Sequence, residues 1–218
     1  MILNDLVAEI NYAHKGNNKV LEEGSVKWNR TVSILNRKRR EWARDATTEW
    51  NSLFEIRTVG TFSTDQTIEL DEDIHKLSDF VYLEDGSSWK KFEVVSPQRR
   101  KEYNQAVYVS GNPKVLTFID TIQATDQWIG SSIQVPCYFV PEDVTTGTDD
   151  VFIDSTEWLI YATAAELARN DPAKDDQYGN LVGMANDLYQ AMKDNNNIPP
   201  YGQPFDIPVE VYSTGEAF

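Results

Sequence analysis

One cysteine, two histidines and no apolar run of membrane length are the shortages that narrow what this 218-residue sequence can do. Cys137 has no partner for an internal disulfide. His14 and His75 lie far apart in sequence, so a thiolate or imidazole metal site has almost no ligands to draw on. No metal, redox centre or other cofactor is expected. No window approaches the roughly 20 consecutive apolar residues of a membrane helix, and the N-terminus carries Asp5 and Glu9 where a signal peptide carries a basic region. The chain is therefore expected neither to span a membrane nor to be exported by that route. Glycines are scattered without the spacing of a P-loop or dinucleotide turn, and no G-x-S-x-G elbow is present. A Ser or Cys nucleophile would need His14 or His75 as its base. His14 adjoins a predicted loop and His75 follows Asp71-Glu72-Asp73 in a predicted turn, so both read as surface residues.

Cations are the other shortage: 35 acids face 20 bases, for a formal net charge of −15. That balance argues against a general nucleic-acid binder, which needs Lys and Arg in excess on some face. The deficit is uneven. Residues 1–118 hold 18 acids and 17 bases, whereas residues 119–218 hold 17 acids and only 3 bases. The first half also concentrates Lys27, Arg30, Arg37, Lys38, Arg39, Arg40 and Arg44, with Glu41 as the single acid among them. This stretch reads either as a solvated helix face or as a docking patch for an acidic surface or a phosphate backbone.

What the sequence does have is core material: 40% apolar residues and 11% aromatics, including 6 Trp, 10 Tyr and 9 Phe. A short helix capped by Asn4 or Asp5 is expected through Leu6, Val7, Ile10 and Ala13, ended by Gly16. From an N-cap at Ser25, the spacing of Trp28, Val32, Leu35, Trp42, Ala46, Trp50 and Leu53 predicts an amphipathic helix of about 25 residues, its Trp side chains in the core. The period then falls to two. Strands are expected around residues 54–62, 66–70, 79–83, 89–95, 106–109, 115–119 and 133–140, and Pro136 and Pro141 mark the last as an edge strand. Ser96-Pro97 opens one short helix within this region. Helical spacing returns after Ser155 and again from Tyr178 to Met192, as a helical hairpin. Residues 196–218 hold four prolines yet also Tyr201, Phe205, Ile207, Val209, Val211, Tyr212 and Phe218, too apolar for a solvated tail, so an arm that docks on something is expected.

The resulting expectation is an α+β fold: a helical bundle formed by the N- and C-terminal helices (1–54 and 155–195), a β-rich insertion (55–154) and an extended C-terminal arm (196–218). The order of elements carries a resemblance. Glu41-Trp42-Ala43-Arg44 and Trp50-Asn51-Ser52-Leu53-Phe54 lead into Thr58-Val59-Gly60-Thr61, then Ile68-Glu69-Leu70-Asp71-Glu72-Asp73 and Phe80-Val81-Tyr82-Leu83. Later come Val135-Pro136-Cys137-Tyr138-Phe139-Val140-Pro141, then Trp158-Leu159-Ile160 through Leu167, and the helical residues from Tyr178 to Met192. Over residues 1–195 the chain resembles the head-to-tail adaptor proteins of tailed bacteriophages, of the tail tubular protein A type. The family's leucine-proline-x-aspartate corner stands here as Leu70-Asp71-Glu72-Asp73, without the proline.

The resemblance implies a non-enzymatic virion protein of the neck, assembled in the host cytoplasm. It would form a closed homo-oligomeric ring, typically of twelve copies, docked beneath a portal protein and joined to a tail or nozzle protein. Genomic DNA would pass through without sequence-specific binding. Contacts to the portal or a neighbouring subunit would fall on Arg37, Lys38, Arg39, Arg40 and Arg44 and on the arm residues Tyr201, Phe205, Ile207, Val209, Val211, Tyr212 and Phe218. An acidic second half lining the channel would keep DNA from sticking by like-charge repulsion. A carboxylate-dependent saccharide hydrolase, motivated by 35 acids and 6 Trp, and a carbohydrate-binding module are the alternatives.

Overall fold

The computed structural model describes residues 1–17, 19–86, 88–120, 126–169 and 174–196. The described residues form four α-helices and eight strands. These are α1 (Leu3–Lys15), α2 (Val26–Ala43), β1 (Phe54–Thr61), β2 (Thr67–Glu69), β3 (Ile74–Leu77), β4 (Phe80–Asp85), β5 (Ser88–Glu93), β6 (Gln105–Ser110), β7 (Val115–Asp120), β8 (Ser132–Phe139), α3 (Thr156–Ala168) and α4 (Asp175–Asn196).

Local chemistry sets most boundaries. Ser25 Oγ accepts from Trp28 N and Ser155 Oγ from Trp158 N, so two helices begin where capping serines stand. Gly16, left-handed at φ 67°, ends α1. The N-terminus of α1 is not capped by Asn4 or Asp5. Its first N–H groups, those of Leu3 and Asn4, donate to the Asp149 and Gly147 carbonyls instead. The second helix is shorter than its stripe implied. α2 stops at Ala43, because Asp45 Oδ1 accepts from both Thr47 N and Thr47 Oγ1 and turns the chain. Trp50 and Leu53 still reach the core, from the far side of that turn.

Sheet topology overturns the edge assignment of residues 133–140. β8 is central: it pairs with β1 on one side and with both β4 and β3 on the other, all antiparallel. Proline is tolerated there because β4 pairs with residues 132–134 and β3 with 137–139, leaving Val135 and Pro136 between two partners. At that gap the Pro136 carbonyl accepts from Ser78 N at 2.8 Å. β5 extends this sheet beyond β4, while β2, β7 and β6 form a separate three-stranded sheet. β1 and β2, consecutive in sequence, thus lie in different sheets. Val81, Leu83, Phe92, Ile133, Val135 and Cys137 of the larger sheet share one core with Val107, Leu116 and Phe118 of the smaller. Phe118 stacks edge-on against both Phe62 and Phe92, at 4.9 and 5.2 Å between ring centres.

The expected helical bundle is also overturned: the fold is mixed α/β with two antiparallel sheets, and the helices do not close a core of their own. α1 and α2 each pack on α3 and hardly on one another. Their apolar stripes are completed by Val140, Val144 and Val151 from the chain that leaves β8. Asn36 in α2 secures that chain from the buried side, donating to the Val144 carbonyl and accepting from Val144 N. Trp28, Trp42 and Trp50 are all buried in this core.

Candidate interaction surfaces

The four adjacent cations of α2, Arg37 to Arg40, are engaged within the chain. Arg37 pairs with Glu166 of α3 at 3.0 Å and with Glu41 one turn on, while Lys38 reaches Glu41 at 2.8 Å and Glu166 at 3.9 Å. Arg40 grips Asp143 through a single guanidinium nitrogen. Arg39 is a core residue, 2% exposed. Its guanidinium donates to the Phe152 carbonyl at 3.2 Å, the Glu142 carbonyl at 2.9 Å and Asn36 Oδ1. Burial pushes this guanidinium below its usual range, and nearby Asp143 partly restores it. Arg44 caps the end of α2 and is exposed. Residues 37–40 are therefore a clamp holding α3 and the 142–152 segment, while Lys27, Arg30, Arg44 and the outer atoms of Arg37 and Arg40 are left at the surface. Tyr201, Phe205, Ile207, Val209, Val211, Tyr212 and Phe218 lie outside the described residues.

A groove of about 780 Å³ opens where the turn after α2 meets β3, β8 and the end of α4. Asp45 and Glu49 enter it from the turn, His75 and Lys76 from β3, Tyr138 from β8, and Lys193 and Asn196 from α4. Burial alone would push the Asp45 carboxyl up. Hydrogen bonds from Tyr189 Oη, Thr47 and Lys193 outweigh it and hold the group well below the usual carboxylate range. The Lys76 ammonium beside Glu49 lowers that carboxyl too, against a smaller effect of burial. Burial pushes the Tyr138 phenol up to about 12, reinforced by Glu49, to which it donates at 3.2 Å. Both acids of the groove are thus held ionised.

Asn196 closes the end of α4 onto the turn. Its Oδ1 accepts from Asn51 N at 2.8 Å, its carbonyl accepts from Asn51 Nδ2 at 2.9 Å, and its Nδ2 donates to the Glu49 carbonyl at 2.7 Å. The sequence signals for this groove were faint. Asp45-Ala46-Thr47 is a recognisable side-chain turn, but nothing local marks Tyr189 or Lys193 as its partners.

Of the residues singled out for chemistry, His75 lines the groove, whereas His14, Cys137 and Asp73 lie outside it. His75 is exposed on β3, while the carbonyl of half-buried His14 accepts from Lys174 and Gln177. The Cys137 thiol is buried in β8 and pushed up to about 11 by that burial, which leaves it unreactive. Asp73, in the corner before β3, is taken by Arg57 of β1 in a two-pronged pair at 2.8 and 2.7 Å. Among the described residues no group of three or more His, Cys, Asp or Glu is placed to hold a metal ion, and no helix is long and apolar enough to cross a membrane. Compared with known protein families and with curated proteins, the chain matches none of them.

Proposed function

We propose that this chain is a structural subunit of a head-to-tail connector, a homo-oligomeric ring beneath a phage portal that joins capsid to tail and forms part of the DNA channel. The observation that carries the reading is how charge is paired. Arg37, Lys38 and Arg40 of α2 are tied to Glu41, Glu166 and Asp143 inside the chain. Exposed acids such as Asp150, Asp154 and Glu157 have no cation paired to them among the described residues. Tying these three cations down inside the chain while such acids stay in water strengthens the negative surface of a chain with net charge −15, and that surface repels passing DNA. The resemblance in the order of elements supports the same assignment.

The saccharide-hydrolase reading draws no comparable support. An acid catalyst at neutral pH needs a carboxyl raised above its ordinary range. The two acids of the groove beside the turn after α2, Asp45 and Glu49, are displaced in the opposite direction.

Copurification with a portal protein, native mass measurement and imaging of the complex test the proposal. A ring of many copies seated on the portal is the expected result. A chain that binds no portal protein, or that cleaves a polysaccharide with activity abolished by Asp45→Asn or Glu49→Gln, overturns it.

A further inference from the structure

A second set of cations, unlike that of α2, faces outward. The short 3-10 turn Pro97–Glu102 packs on β6, at the edge of the three-stranded sheet, and opens at Ser96, whose Oγ accepts from Gln98 N. Arg99, Arg100 and Lys101 are all exposed on it. Arg99 pairs with Glu102 at 2.8 Å, and Arg100 folds back only onto the Pro97 carbonyl. Neither Arg100 nor Lys101 has a carboxylate partner among the described residues.

The opposite charge lines the outward face of α4. At 100° per residue, Asp176, Gly183, Asp187 and Asp194 fall within about 20° of one line along the helix, over a rise of about 27 Å. All four are exposed, with Asn180 and Gln190 flanking the line. No Lys or Arg interrupts it: Lys193 turns aside to Asp45 at 3.0 Å. This face has no partner among the described residues. A methyl group added at Gly179 or Gly183 would meet nothing within 4 Å among the described residues, whose packing therefore gives no reason for two glycines in a helix interior, where glycine is unfavourable. Small residues on an exposed helix face let another backbone approach closely.

We propose that these two surfaces meet between copies of the chain: the cationic turn 97–102 of one subunit docks on the outward face of α4 of the next. The inference rests on the ring reading and names the contact that would build it. The patches differ, one carried on β6 and the other on a helix packed against α3. A contact between them is therefore heterologous, and repeating it gives a ring or a filament rather than a two-fold dimer. Duplex DNA is the weaker candidate for the cations. About three phosphate contacts give a log–log salt slope of only about −3, far below that of strong DNA binders, and the −15 net charge opposes approach.

Sedimentation of the purified full-length chain, over a range of concentrations at 50 mM and 500 mM salt, provides the test. The native chain is expected to self-associate at low salt and to lose at least tenfold in affinity at high salt. Arg99→Glu/Arg100→Glu/Lys101→Glu and Asp176→Lys/Asp187→Lys/Asp194→Lys are each expected to remain monomeric with native circular dichroism, and an equimolar mixture of the two to associate. Failure of the mixture to associate, or native association untouched by either reversal, overturns this contact and leaves the ring reading standing on its portal assay. A native chain that stays monomeric at every concentration at 50 mM salt also overturns it. So does binding of a duplex oligonucleotide that is lost in the first variant while self-association persists.

Discussion

Tyr189 Oη donates a 2.6 Å hydrogen bond to Asp45 Oδ2, joining α4 to the turn after α2 across 144 residues of sequence. The phenol ring also stacks against Trp50 and Trp158, at 5.7 and 5.3 Å between ring centres. Tyr189→Phe keeps the ring and deletes the donor, which is expected to cost about 2 kcal/mol because the acceptor is charged and mostly shielded. Urea unfolding of Tyr189→Phe, Asp45→Ala and the double variant checks this. Additive losses would show that the two groups do not interact.

Acid sensitivity follows from the same carboxyl. Asp45, Glu49 and Asp73 all hold their protons more weakly in the folded chain than in the unfolded one. The stability each contributes is therefore complete above the ordinary carboxylate value of about 4 and is lost as pH falls below it toward the folded value. The melting temperature is expected to fall steeply below about pH 4, and more gently in Asp45→Asn, which starts lower and has less to lose. An identical slope in the two proteins would remove Asp45 from the account.

The four adjacent cations of α2 should separate cleanly under single substitution. Arg39→Ala leaves the Glu142 and Phe152 carbonyls without their donor and opens a hole in the core, an expected loss of about 3 kcal/mol. Arg37→Ala and Arg40→Ala remove partly exposed ion pairs and are expected to cost at most about 1 kcal/mol. A test of docking therefore has to use Arg37, Lys38, Arg40 and Arg44 and leave Arg39 alone. Equal destabilisation by Arg37→Ala and Arg39→Ala, read by thermal melting, would contradict this division.

Two glycines should respond with opposite signs. Gly60 sits at the register shift in β1 with φ 153°, a backbone conformation that residues with a Cβ rarely adopt, so Gly60→Ala is expected to destabilise by about 2 kcal/mol. Gly183→Ala replaces a poor helix former at an open position and is expected to stabilise the isolated chain by about 1 kcal/mol. If the outward face of α4 meets a neighbour, the same Gly183→Ala should weaken self-association. Melting and sedimentation read the two effects separately.

Elements that announce themselves through a few neighbouring residues were legible in the sequence. Ser25 and Ser155 cap helices because their hydroxyls reach N–H groups three residues on, Gly16 supplies the left-handed turn, and the alternation in residues 115–119 is that of a half-buried strand. Features decided by distant residues were not. The stripe from Trp28 to Leu53 is continuous in spacing, yet Asp45 diverts the backbone while Trp50 returns to the same core. The prolines of residues 133–140 argued for an edge, because nothing local shows that two partner strands leave a gap opposite Pro136. The basic run on α2 looked like an outward patch since its carboxylates, Asp143 and Glu166, are more than 100 residues away. Arg99, Arg100 and Lys101 are the more exposed set, yet a run of three cations in a short turn carries no local signal of that exposure.

The central place of β8 constrains how the chain can come off the ribosome. β1, β3 and β4 are all synthesised before residue 86, but the strand that unites them begins at Ser132, and α1 waits longer still for the 147–149 carbonyls and for α3. Neither core can close on a nascent fragment, so the first 130 or so residues emerge with sheet edges open and apolar faces wet, a condition that invites aggregation. Folding is thereby deferred until most of the polypeptide is available. Fragments ending before β8 should accumulate as insoluble material rather than as a stable amino-terminal half.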